Sequence, residues 1–432
     1  MAHFPASLST TTPILAPLSF TQQFFTPILT ACTDAAHRRH CPELTDEAWL
    51  QLGVRRALED RPSGRAFLQH LAASGLEAPE TSHFFETLKS ARRLGLVAEV
   101  SHAVAARLPV LDPPLGESLP ELAAFDLYAG DGHFHGAAAH DRRDPGDGVK
   151  YAVGHFFTLN LRTHALTHLT VADQVARKKE HDMRALKRTG LAALRQGAVA
   201  GRKVLYVWDR AGIDFRQWHD WKHRGGVYFL SREKENMKLE TIAQHPWDRA
   251  DPRNQGVLAD ELVGTSQGVS VRRVRYRCPL RGEEFSFLTV EYTLPPGVIA
   301  HLYRRRWEIE KVFDECKNKL MENKAWASSP EAKAMQAHFL CMAHNSMVRC
   351  ETELERDHGV RNEAELTRRA QRLEQEEQRL AKKKVALPVL VRALQRLTVR
   401  SVKFIRWLRV QLFARPHHEP DIAALRQLYA VL

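Results

Sequence analysis

Tyr303, Arg306, Glu310 and Lys317 differ in chemistry yet recur at helical spacing. At about 100° per residue they fall within a stripe roughly 60° wide. An acid that needed only neutralising would take one partner; a carboxylate flanked by two cations suits contact with something anionic. Two further carboxylates complete a candidate set. Asp131 is in phase with Phe125, Leu127 and Ala129, at the end of the inward face of an apolar strand. Asp209 closes the run Lys203-Val204-Leu205-Tyr206-Val207-Trp208, which has the look of a buried strand. Strand ends in α/β sheets gather ligands, and a helix packed across the sheet can bring a third oxygen to the same point. Hard oxygen donors suit Mg²⁺ or Mn²⁺. Two such ions a few Å apart can activate a water or a hydroxyl and stabilise the leaving oxygen of an in-line phosphoryl displacement. Any three acids in a chain this long are a weak signal alone, and surface or capping roles are the alternative.

The elements that must position these residues can be read in outline. Pro296 suits a helix's first turn, and no Gly or Pro interrupts residues 298–327, so one helix is expected there. Leu302, Ile309, Val312, Phe313, Cys316 and Leu320 lie on an adjoining arc and can pack on a core. Upstream, residues 122–130, 151–160 and 165–171 read as strands, 173–196 as a charged helix, 203–208 as a strand, 215–223 as a helix and 227–230 as a strand. That order gives a mixed α/β layout with a central sheet. Residues 236–268 look loop-rich. A hairpin follows, 269–278 and 284–293, with Arg273, Arg275 and Arg277 on one side; taken alone, those arginines read as a solvated sheet face.

The flanks are helical. Residues 1–30 are rich in Ser, Thr and Pro and expected to be loosely ordered. Residues 46–108 read as helices, with Ser82 as an N-cap and Glu86 in the first turn. A small N-terminal domain, residues 1–115, follows, either DNA-contacting or scaffold, with Pro109, Pro113 and Pro114 as its linker. Residues 328–349 form a further apolar helix. Residues 351–385 read as a solvated charged helix, and basic amphipathic helices after Pro388 carry Arg392, Arg396, Arg400, Lys403, Arg406 and Arg409, giving a C-terminal region of residues 351–432.

The chain has 432 residues and a formal charge of +12, which favours a polyanionic partner, nucleic acid first. The cysteines Cys32, Cys41, Cys278, Cys316, Cys341 and Cys350 form no Cys-x-x-Cys pair, which fits a reducing compartment and argues against a disulfide framework. No signal peptide and no 18-residue apolar run is read, so no membrane partner is expected. Asp131, His133 and His135 point the same way if their strand continues, and with His140 they offer a zinc alternative.

The string Tyr303-x2-Arg306-x3-Glu310-x6-Lys317 resembles the Tyr-Arg-Glu-Lys signature of bacterial insertion-sequence transposases, the insertion-sequence-four group of DDE enzymes. The local run Tyr-Arg-Arg-Arg-Trp-Glu-Ile-Glu-Lys-Val-Phe fits beyond the four signature positions. Asp131-Gly132 resembles the context of the family's first acid, and Asp209-Arg210-Ala211 that of its second. One departure is Asp214 where an aromatic is expected, with Phe215 one place late. The resemblance implies an α/β, ribonuclease H-like mixed-sheet catalytic core over residues 120–350 with a β-rich insertion at 231–295. It implies Asp131, Asp209 and Glu310 as catalytic ligands of two Mg²⁺ or Mn²⁺ ions. It implies DNA contacts by Arg306, Lys317 and Tyr303, the last near the cut end. For Arg306 an ion pair with Glu310 is the plain alternative, and for Tyr303 and Trp307 core packing. Lys317 lies about 10 Å along the axis from Glu310, too far to pair with it.

The activity so implied is DNA transposition: binding the terminal inverted repeats, cleaving a strand and joining it to target DNA, by a homodimer in the synaptic complex, in the bacterial cytoplasm at the nucleoid. The rival expectations are a decayed or domesticated copy that only binds DNA, and a nuclease of the same fold without strand transfer.

Overall fold

The structure is a computed structural model that describes residues 19–60, 63–111, 119–146, 148–173, 180–320, 322–393, 401–413 and 420–430. Arg396 and Arg400 lie outside these residues.

Among the described residues nine strands form one mixed sheet in the order β3-β2-β1-β4-β5-β9-β8-β7-β6. Its first half holds β1 (Phe125–His135), β2 (Val153–Asn160), β3 (Leu166–Val171), β4 (Lys203–Val207) and β5 (Val227–Arg232). β1 pairs antiparallel with β2 and parallel with β4, and β4 pairs parallel with β5. This is the strand-helix succession expected for residues 122–230. The helices between these strands are α6 (Asp182–Leu194) and α7 (Phe215–Gly225).

The insertion extends this sheet rather than building a separate one. β9 (Glu284–Thr289) pairs antiparallel with β5, and β8 (Ser270–Arg277), β7 (Val257–Thr265) and β6 (Leu239–Gln244) continue outward. The loop-rich reading of residues 236–268 is therefore corrected. β6 is exposed at five of its six residues, Ile242 among them; it shows no apolar alternation and is a strand only because β7 offers it an edge. The expected hairpin is β8–β9. Its arginines are matched by acids, Arg273 with Glu261 at 2.8 Å and Arg277 with Glu284 at 2.5 Å.

The expected single helix is two. α8 (Pro296–Arg305) and α9 (Trp307–Asn318) meet at Arg306, whose φ of −53° and ψ of −35° stay helical. There the Arg306 N–H donates to Tyr303 O and the Ile309 N–H to Arg306 O, three-residue bonds that tighten one turn. The helix stops at Asn318 and not at Ala327. Beyond it, Gly136 at the end of β1 exchanges backbone bonds with Asn323 and Ala325, an extended pairing that outcompetes another helical turn. The arc expected in the core is there: Leu302, Ile309, Val312, Phe313, Cys316 and Leu320 are all buried.

α10 (Pro330–His358) is capped by Ser329, which accepts from Ala332 N, and runs well past Arg349. Its middle is buried on every side, as a helix enclosed by other elements must be. It packs on β3 and on two N-terminal helices, α2 (Asp46–Leu58) and α5 (Ala91–Ala106). One apolar core runs continuously from the N-terminal helices through the sheet to Leu425 and Tyr429.

Two N-terminal expectations change. Residues 20–30 are not loose: α1 (Phe20–Thr33) has a capping box from Ser19 and Gln22 and buries Phe24, Phe25 and Ile28. Residues 82–105 form two helices, α4 (Thr81–Thr87) and α5, and Ser90 rather than Ser82 is the capping serine, accepting from Arg93 N. α3 (Gly64–Ala73) stands as expected. Residues 363–382 form the exposed charged helix α11, of which Leu380 is buried. Three short helices close the chain, α12 (Val389–Ala393), α13 (Val402–Phe413) and α14 (Ile422–Ala430).

Candidate active site

β1 and β4 bring the first two acids together. Their parallel register pairs Tyr128 with Tyr206 and Ala129 with Val207. Continued by two residues, it sets Asp131 level with Asp209. Neighbouring strands lie about 4.8 Å apart and level residues of a parallel pair face the same side. On that side lies α9, whose Phe313 ring stands 4.8 Å from His133 and 5.8 Å from Phe157. The helix thus crosses β1 beside Asp131, which lies inside the strand, paired with Phe157 of β2, and not at its end as the sequence suggested.

Arg306 ties the third acid to the first. Its guanidinium lies 2.6 Å from Glu310 Oε1 and 3.3 Å from Asp131 Oδ2. The plain ion-pair alternative for Arg306 is thus present, with a second acid added to it. The side chain is 8 % exposed, against 20 % for Asp131 and 32 % for Glu310, so the acids look outward past a buried cation. Its guanidinium also lies over the rings of Tyr303 (5.9 Å) and Trp307 (5.3 Å). Tyr303 is half-buried, its ring 5.0 Å from Phe287 of β9. Trp307 is 48 % exposed, which overturns the core-packing expectation for it. Lys317 is exposed near the end of α9.

The electrostatics of the site are strained by burial. Desolvation pushes the Asp131 carboxyl up to about 7, helped by the charge of Asp209 and opposed by Arg306 and by the Gly132 N–H. A fourth acid, Asp182 at the start of α6, is raised by burial and by Asp209, against a hydrogen bond from Trp208. Sequence reasoning missed Asp182, because an acid in a first helical turn has an ordinary dipole explanation. Asp209 keeps one oxygen busy: its Oδ1 accepts from Ala211 N at 2.7 Å and caps the turn Arg210–Gly212. Asp214 caps α7 by accepting from Gln217 N, which explains why an acid stands where the family pattern has an aromatic; Phe215 beside it is buried.

The zinc alternative does not assemble. Among the described residues no group of three or more His, Cys, Asp or Glu side chains is arranged to hold a metal ion, and this covers Asp131, Asp209 and Glu310 as they stand as well as the histidines. β1 does continue to His135, but His133 and His135 are buried away from the acids. His133 Nε2 contacts Glu322 at 2.9 Å, and His135 Nε2 contacts His155 Nε2 at 3.1 Å. His140 is exposed on the following loop. The chemistry of Asp131, Asp209 and Glu310 fits Mg²⁺ or Mn²⁺: all are hard carboxylates, two stand level on adjacent strands, and their mutual repulsion favours a cation between them. As they stand, Arg306 supplies that positive charge, so the three can share an ion only if Arg306 releases Glu310 and Asp131.

Among the described residues no helix is long and apolar enough to cross a membrane. No curated protein matches the chain. The family model described as the transposase DDE domain matches residues 124–346, more than half of the 432 residues and the span that runs from β1 into α10. This chain, with its neighbouring strand-borne acids and helix-borne glutamate, belongs to the transposase DDE domain family, whose members are phosphoryl-transfer enzymes that act on DNA.

Proposed function

We propose that the protein is a cut-and-paste-type transposase of the insertion-sequence-four group, carrying the Tyr-Arg-Glu-Lys signature on a ribonuclease H-like core. The observation that carries this reading is the Arg306 guanidinium held between Glu310 and Asp131, with the β1–β4 register leading on to Asp209 beside Asp131. The parallel β1–β4–β5 ladder with antiparallel β2 and β3 on one flank supports the fold assignment.

In this reading Asp131, Asp209 and Glu310 hold two Mg²⁺ or Mn²⁺ ions. When bound, the ions supply positive charge that makes a water or a 3′-hydroxyl a better nucleophile and stabilises the leaving oxygen. The residues of the chain do the rest. Arg306 turns from the acids to a DNA phosphate, a partner its planar fork suits equally well. Lys317, about 10 Å along the helix beyond Glu310, takes a second phosphate. Tyr303 packs beside the cut end, and exposed Trp307 offers a face for a base to stack on. Both cleavage of the element end and joining to the target are in-line phosphoryl transfers, so one site serves for both. A homodimer bridging two terminal inverted repeats would carry out the joined reaction, with residues 1–115 and 351–432 as flanking helical regions. The cytoplasm, at the nucleoid, is where such an enzyme would meet its DNA.

The test is an incubation of the full chain with DNA bearing the element end and Mg²⁺. Nicking at the 3′ end followed by joined products, both lost in Asp209→Asn, is the expected result. Cutting without joining would instead identify a nuclease, and retention of DNA without cutting a binding protein.

A further inference from the structure

Trp208 touches both chain segments that carry the strand-borne aspartates. It directly precedes Asp209 and is fully buried. A Cβ on Gly130, the residue before Asp131, would come within 1.9 Å of its six-membered ring. A Cβ on Gly212, just beyond Asp209, would come within 2.5 Å of its five-membered ring. The indole thus fills the space that two glycines leave, one beside each acid. Side chains alternate along a strand, so this contact lies on the face of the sheet opposite the carboxylates.

Its one polar atom is also held. Trp208 Nε1–H donates to Asp182 Oδ2 at 2.8 Å. Asp182 opens α6, which packs on the turn Arg210–Gly212. These contacts stand where the hydrogen-bonded ladder gives out. The β1–β4 register ends at Ala129 and Val207, two residues short of the acids. On the β5 side Asp209 is fixed by Ser231 Oγ, which donates to its carbonyl at 2.8 Å. On the β1 side, the contact beyond the ladder is the ring of Trp208 against Gly130.

We propose that Asp182 and Trp208 form a positioning pair: the carboxylate orients the indole, and the indole sets the gap between Asp131 and Asp209. This rests on the reading of those two aspartates as ligands of a divalent ion. A ring locked in its plane gives one spacing; a ring free to tilt over two glycines gives several, and ligand spacing governs metal affinity.

The experiment measures Mn²⁺ binding to the full chain bound to a short element-end duplex, the duplex alone serving as the blank, by the loss of the free-ion paramagnetic resonance signal, together with the thermal midpoint of each variant. Trp208→Phe keeps most of the ring and loses the N–H; Asp182→Ala loses the acceptor; Asp182→Asn keeps an acceptor oxygen without the charge. Trp208→Phe and Asp182→Ala should each weaken binding by roughly tenfold, the usual scale for a residue that orients ligands. Their combination should cost little more than either alone, because both break one bond. Asp182→Asn should bind within about twofold of the native chain. Unchanged affinity in Trp208→Phe and Asp182→Ala, with or without a lower thermal midpoint, would overturn the pair while Asp209→Asn still abolished binding. Asp182→Asn as weak as Asp182→Ala, with Trp208→Phe inert, would overturn it in favour of a direct charge effect. Asp131→Asn and Asp209→Asn that bind Mn²⁺ as the native chain does would remove the metal reading itself, and the proposal with it.

Discussion

At Asp131 the proposed role and the stability of the fold pull apart. Burial holds its carboxyl near 7 in the folded chain, against an ordinary value close to 4. Between those values the folded state binds the proton more tightly, so this group's contribution to stability falls as pH rises from 4 to 7. At neutral pH the fold carries a charge it would rather lose. Asp131→Asn keeps the shape without the charge, and the expected result is a gain of about 1 kcal/mol, read as a thermal midpoint higher by about 2 °C, together with loss of DNA nicking. Arg306→Ala should do the opposite to stability. It strips the cation that lowers Asp131 and pairs with Glu310, at a cost on the order of 2 kcal/mol by urea unfolding. At this scale strand phase, strand end and helical spacing each single out one candidate in the sequence, Asp131, Asp209 and Glu310 in turn. It was silent on Asp182 and Trp208. Their bond joins residues 26 apart, and no local period encodes a contact between a helix start and a strand end.

At the scale of elements, the joint between α8 and α9 is set by a buried polar network. Arg305 and Glu308 pair at the turn, and Glu308 Oε2 also contacts His164 Nε2 at 3.3 Å. The break at Arg306 was not legible because the sequence there is uniformly helix-forming; burial of Arg305 and Glu308 decides it. A second network lies under the sheet. His102, His135, His155, His168 and His338 run from α5 through α10 and β3 to β1, linked by ring contacts and by His155 Nδ1 to His168 Nε2 at 3.3 Å. Burial lowers all five, His168 to about 3, with Glu322 the acid near His135. A histidine lowered in the fold takes its proton first when unfolded. Its neutral state therefore supports the fold above the ordinary value near 6.5, and that support is lost as pH falls below it. Asp131 and Asp182 act in the opposite sense, but five groups outweigh two. The thermal midpoint should drop between pH 7.5 and pH 5, and His168→Gln should make that slope shallower.

Over the whole molecule, the core binds the N-terminal helices to the catalytic sheet through α10, so the flanks brace the site as well as adding charge. The sheet's near half was readable from its apolar runs, whereas β6 and α1 were not. β6 is almost wholly exposed and has no alternating apolar face, and α1 carries Pro27 and a Thr-rich sequence that argue locally against a helix whose Phe24 and Phe25 are drawn into the core. A net charge of +12 predicts DNA binding that weakens steeply with salt. Lys317→Ala should weaken it on every duplex alike and reduce the slope of log affinity against log salt by about 1.

The central claim is that Asp131, Asp209 and Glu310 act as one catalytic unit. The direct measurement is the rate of strand nicking and joining on element-end DNA in Mg²⁺ for Asp131→Asn, Asp209→Asn and Glu310→Gln, beside Asp220→Asn on the outer helix α7 as a control. Each of the three should lose about a thousandfold or more, no combination should lose much beyond one, and the control should keep its rate. A chain that lacks any one of the three and still nicks and joins at the native rate would contradict the account.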